Sequence, residues 1–176
     1  MKTYSVCETS NMACVHYAER IWDAVADFDV ENGMIGYLDG LAENESHTYN
    51  FIKGVKDGAT LTLAHNPEWT EDTSRMTNQR KDKLFIPAGV KFRAYTLKKG
   101  DEFALSAEGF NSEPAVDKYV TVGTNGKLDI SDTAPEGAVM VGKIMRKRQI
   151  GSTLVTGVRT YGYARMMYTV KVETLA

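Results

Sequence analysis

Between two β-type runs, 119–122 and 127–130, stands Gly123-Thr124-Asn125-Gly126. An Asn-Gly step so placed is the strongest short-range hairpin signal, because both residues tolerate the positive φ that a tight turn needs. The same period of two governs most of the chain from Met34 onward. Val90, Phe92, Ala94 and Thr96 share one strand face, while Lys91, Arg93, Tyr95 and Leu97 share the other. Met166, Tyr168, Val170 and Val172 alternate again near the end. Shorter β-type stretches lie at 34–38, 48–52, 60–64 and 139–145, and Lys56-Asp57-Gly58 marks a turn between the second and third of them. Lys98-Lys99-Gly100-Asp101 predicts a hairpin from 90–97 into 102–107.

Two stretches read as breaks in this pattern. Residues 70–83, TEDTSRMTNQRKDK, are polar with alternating charge signs and predict a long surface loop. A Gly-rich polar stretch holding Gly151, Gly157 and Gly162 separates the last two strands. One segment carries a different period. Over 12–28, Cys14, Ala18, Ile21, Val25 and Phe28 recur at three- and four-residue spacings, and Ser10 and Asn11 can cap a helix there. The expectation is a mainly β chain: a small antiparallel β-barrel or sandwich with at most one short N-terminal helix or arm. Residues 1–30 are assigned to that arm or short helical segment, and 31–176 to a single β-rich domain.

A chain of 176 residues, 43% hydrophobic and 25% charged, has the make-up of one globular domain with a real core. No apolar run approaches the ~20 residues of a membrane-spanning helix, and no apolar signal-peptide core is visible at the start. Cys7 and Cys14 are the only cysteines, and they read as two reduced thiols. The charge is uneven. Residues 1–72 hold four Lys/Arg against thirteen Asp/Glu, a balance of −9, whereas 73–176 hold seventeen against ten, a balance of +7. Such asymmetry describes either a dipolar molecule whose ends meet different surfaces or two parts that neutralise each other within the fold.

Reactive chemistry finds little footing. His16, His47 and His65 sit in no catalytic motif, and there is no Gly-x-Ser-x-Gly elbow. The run from Asp27 to Gly33 fails as a calcium loop, because glycine comes seventh and Leu38 stands where a bidentate glutamate belongs. With His16 the sole extra ligand beside the cysteines, zinc is a poor fit. No catalytic residue, metal or cofactor is expected. The basic run Lys143, Arg146, Lys147, Arg148, interleaved downstream with Tyr161, Tyr163 and Tyr168, mixes cations and aromatics as nucleic-acid binders do. The pI of about 5.9 argues against that use. Contact with a protein partner, or solvated strand ends, remain open. Trp69, after a proline turn, can anchor in a partner's pocket or fill the core.

Residues 72–110, DTSRMTNQRKDKLFIPAGVKFRAYTLKKGDEFALSAEGF, resemble a stretch in small structural proteins of tailed bacteriophages. So do Asn32-Gly33-Met34-Ile35-Gly36-Tyr37-Leu38, VTVGTNGKL at 120–128, and the stretch from Met145-Arg146-Lys147-Arg148 through Tyr161-Gly162-Tyr163. The resemblance runs from about residue 29 onward, and it lies in the order of the blocks. It implies a head decoration or cement protein on the capsid exterior, assembled in the host cytoplasm. The implied partner is the lattice of the major capsid protein, with homo-oligomerisation open, no membrane, and nucleic acid disfavoured. The alternative is a small β-barrel binding module for nucleic acid or a host-surface molecule. The partner-binding candidates are Trp22, Trp69, Arg75, Arg146, Lys147, Arg148, Tyr161 and Tyr163. Residues 1–30 are expected to lie on the capsid.

Overall fold

The structure is a computed structural model that describes residues 3–17, 19–66, 80–156 and 159–176; over 152–156 and 159–163 it describes the backbone alone. The chain is mainly β and divides into a closed barrel and an open sheet. The barrel uses β2 (Ile21–Val25), β3 (Ile35–Leu41), β4 (Thr48–Lys53), β5 (Leu61–His65) and β6 (Phe92–Thr96) in the order β2-β4-β3-β5-β6. Its β2–β4 pair is parallel and its other pairs are antiparallel. The sheet uses β1 (Cys7–Asn11), β7 (Glu102–Ser106), β8 (Tyr119–Val122), β9 (Leu128–Ser131), β10 (Met140–Thr156) and β11 (Arg159–Leu175). Its order is β1-β7-β11-β10-β8-β9, antiparallel throughout.

A five-stranded barrel has a narrow lumen, so its inward positions must be mostly small with a few large plugs. Ala24, Ala26, Ala64 and Ala94 supply the small residues; Phe51, Phe92 and Met34 fill what is left. The Phe51 and Phe92 rings meet edge to face, 5.3 Å between centroids. Gly36 carries no side chain because a Cβ there would stand 2.2 Å from the Ile52 carbonyl oxygen. The outer face of β5 is equally dry. Leu61 and Leu63 point away from the lumen into a second core shared with Phe103, Leu105, Leu128, Ile144 and Val170 of the sheet. One strand thus serves two cores, which accounts for the unbroken burial of Leu61 through Ala64.

The hairpin read from Asn125-Gly126 forms as β8–β9, with Val122 opposite Leu128. Gly126 adopts φ +79°, and the Ile35 amide donates to its carbonyl at 2.8 Å, so the turn docks onto the barrel. Other expectations are corrected. Helix α1 covers only Ala13–His16, and Ile21–Val25 of the 12–28 segment gives β2. The three- and four-residue spacing lost to a period of two, in which Ala24 and Ala26 enter the lumen. Over residues 1–30, where an arm or short helix was expected, the chain supplies β1 to the sheet and β2 to the barrel. The Lys98–Asp101 turn exists, with the Asp101 amide donating to the Lys98 carbonyl at 3.1 Å. It joins no hairpin, because β6 belongs to the barrel and β7 to the sheet. Gly151 and Gly162 of the Gly-rich stretch lie inside the final strands, β10 and β11, instead of parting them, and Gly157 lies outside the described residues. Of the loop expected over 70–83, residues 70–79 lie outside the described residues, and Lys81–Lys83 forms a 3-10 turn. Cys7 and Cys14 are buried and are not joined by a disulfide.

Candidate functional site

β10 and β11 pair along their full length, from Met140 opposite Leu175 to Thr156 opposite Arg159. Their outer neighbours reach much less far. β8 pairs with β10 only at Gly142 and Lys143, and β7 pairs with β11 only from Met167 to Lys171. Beyond Arg146 and Met166 the two strands therefore form a ribbon whose outer edges have no strand partner among the described residues. At about 3.3 Å per residue, the 147–156 run extends about 30 Å.

The root of this ribbon is held by buried chemistry. A bulge between Ile144 and Arg146 re-aims β10, and Ile150 packs onto Val6, Ala104 and Met167. Asp82 is fully buried, and it accepts from Arg165 at 2.6 Å and from both Nε and Nη2 of Arg80 at 3.1 and 2.9 Å. Burial alone would raise the Asp82 carboxyl, but the hydrogen bonds and charges of Arg165 and Arg80 outweigh it and hold the group below the usual range. Arg165 also donates to Glu108, which accepts from Ser106 at 2.7 Å, and Ser106 in turn accepts from the Val6 amide at 3.0 Å. The polar run 80–83 looks like surface in the sequence, yet its aspartate is the buried counter-ion of the ribbon's own arginine.

The candidate residues fall in different places. Arg146, Lys147 and Arg148 are exposed on β10. In the register, Tyr161 stands opposite Leu154 and Tyr163 opposite Ser152, farther out on the same ribbon. The ribbon thus gathers five of the eight. Trp22 is on the barrel, half-buried at one end of the lumen, where its Nε1 donates to Thr96 Oγ1 at 3.0 Å. Trp69 and Arg75 lie outside the described residues. The positive run is also less free than it reads. Arg148 donates to Glu8, and Lys143 stands 3.3 Å from Asp117. Arg146 donates to Thr169 at 3.3 Å; among the described residues neither it nor Lys147 has a carboxylate partner. Exposed Met145 and Met166 flank these cations, adding pliable apolar surface.

Of the barrel end the sequence singled out Trp22 alone, and His65 did not stand out as a site. His65 stacks edge to face on Tyr95 at 5.8 Å, and its buried Nδ1 has no hydrogen-bond partner among the described residues. Burial, reinforced by the charge of Lys81, pushes its pKa down to about 4. Among the described residues no three His, Cys, Asp or Glu side chains gather as metal ligands, and no helix is long and apolar enough to cross a membrane. No family model, curated protein or solved structure matches the chain.

Proposed function

We propose that this protein is a virion structural protein that decorates a capsid surface, with the β10–β11 ribbon as its adhesive element. The observation that carries the reading is the ribbon itself, paired along its length but, among the described residues, flanked by no strand beyond Arg146 and Met166. An isolated two-stranded ribbon is marginally stable in water, so one of this length gains most when a second surface covers it. Its edges offer main-chain hydrogen bonds for strand addition, and Met145, Met166, Arg146 and Lys147 offer side-chain contact. The order of sequence blocks similar to tailed-phage structural proteins supports the capsid as that surface. Modest contacts of this kind suffice on a lattice when the bound protein is multivalent.

The test is co-sedimentation with capsids. A variant in which residues 151–164 are replaced by Asn-Gly keeps Ile150 and Arg165 in register around a two-residue turn. It is expected to fold and to lose capsid binding; undiminished binding would sink the proposal. Nucleic acid is the weaker alternative, because Arg148, Lys143 and Arg165 already face carboxylates. DNA binding that falls steeply with salt would revive it.

A further inference from the structure

Each barrel strand sends one inward-facing residue to the end of the lumen that carries Trp22. Trp22 precedes Ala24 by two positions on β2, Tyr49 precedes Phe51 on β4, and Thr62 precedes Ala64 on β5. Leu38 follows Gly36 on β3, and Thr96 follows Ala94 on β6. Strand alternation places all five on the lumen side. A barrel built only for packing would close here with large aliphatic side chains. Instead two of the five are threonines, and these residues line an open cavity of about 470 Å³. Small barrels hold small ligands at such mouths.

The lining is amphipathic. Trp22 and Tyr49 meet edge to face at 5.3 Å and, with Leu38, present apolar and π surface. Thr96 and Thr62 form the buried floor, where Thr96 accepts the indole N–H and Thr62 donates to the Gly36 carbonyl at 3.3 Å, so the accessible hydroxyls of the lining are those of exposed Thr60 and half-buried Tyr49. Among the described residues no carboxylate lines the cavity, and its one charged lining residue is Arg20. Arg20 Nε lies 3.6 Å from Glu19, which also takes Lys98 Nζ at 2.9 Å. Two cations against one carboxylate leave this side of the rim positive. Arg20 holds φ +55°, a conformation glycine adopts freely and arginine rarely does, while its carbonyl accepts from the Thr96 amide at 3.2 Å. Arginine adds only one thing there that glycine lacks, a guanidinium at the mouth.

We infer that the barrel mouth binds a single acidic sugar residue, a hexuronate or similar carboxylate-bearing pyranose. The C–H face of such a ring packs on Trp22 and Leu38, its hydroxyls meet those of Thr60 and Tyr49, and its carboxylate pairs with Arg20. The site is separate from the ribbon and does not depend on the capsid reading. The experiment is ligand-observed NMR and tryptophan fluorescence on the full chain, using glucuronate and glucose as probes. Glucuronate is expected to bind saturably and about fivefold more tightly than glucose, the worth of one exposed charge pair. Arg20→Gly relieves the backbone strain, so its thermal midpoint is expected to stay level or rise while the preference for glucuronate disappears. Trp22→Leu is expected to lose both sugars, and Thr60→Val on the exposed rim, which does not touch the core, to weaken both. Absence of saturable glucuronate binding, or a preference that survives Arg20→Gly, overturns the inference.

Discussion

The barrel and the six-stranded sheet handle their edges in opposite ways. The barrel closes on itself, so every backbone group of β2 to β6 can find a neighbour, and its lumen is filled by alanines and two phenylalanines. The sheet stays open and extends two of its strands far beyond their neighbours. Closure removes the hazard of an unpaired edge; extension keeps it, as a template for another chain. The difference teaches where each half draws stability. The barrel relies on apolar packing, whereas the root of the ribbon relies on a buried ion cluster around Asp82.

The sharpest way to break the comparison is to empty the lumen. Phe51→Ala is expected to cost about 4 kcal/mol, as large-to-small core changes do. Because Leu61 and Leu63 pack on Phe103 and Leu105, barrel and sheet should unfold together in denaturant. Two separated transitions would show that the halves are independent. Asp82→Ala removes the buried carboxylate that Arg80 and Arg165 share, leaving Arg165 its contact with Glu108, and is expected to cost about 3 kcal/mol, read from the same denaturation midpoint. A loss below about 1 kcal/mol would mean that the root is held by Ile150 and Met167 packing instead.

A third effect comes from pH. His65 is neutral in the fold down to about 4, whereas in the unfolded chain it takes a proton near the ordinary 6.5. Between those values the unfolded state binds more protons, so stability falls as pH drops from 6.5 and levels off near 4. The loss is expected to be about 3 kcal/mol, and His65→Leu should remove that part of the dependence in urea titrations at several pH values. The smallest effect belongs to the ribbon surface. Arg148→Ala breaks the ion pair with Glu8 and is expected to change the thermal stability by under about 1 kcal/mol. A larger loss would make this contact a structural fastening of β1 and not a feature of the exposed surface.

The sequence made the β8–β9 hairpin legible because its signal is local: the turn residues and their flanks are contiguous. The alternation from Val90 to Thr96 was legible for the same reason, and Phe92 and Ala94 do face the lumen. The segment 12–28 misled because Cys14, Ile21 and Val25 satisfy a helical spacing, while the pairing of β2 with β4 and β6 that decides the matter lies dozens of residues away. Gly151 and Gly162 suggested a break, but they stand across the ladder from Ala164 and Thr153, inside a ribbon that tolerates small residues on both strands. The basic run Arg146–Lys147–Arg148 could be named from sequence; its partial neutralisation by Glu8 could not. Of the barrel mouth only Trp22 could be named, since one residue from each of five strands is needed to outline it.

The strand order carries a consequence for how this chain comes off the ribosome. All five barrel strands lie between residues 21 and 96, so the barrel can close while the remainder is still being translated. The sheet cannot, because β11, which sits between β7 and β10, is made after every other strand of either layer. At about ten residues per second, the nascent protein carries β7, β8 and β9 for several seconds before their central member arrives. For that interval a finished barrel offers Leu61 and Leu63 as a landing surface for β7, which keeps its apolar side chains out of other polypeptides' reach.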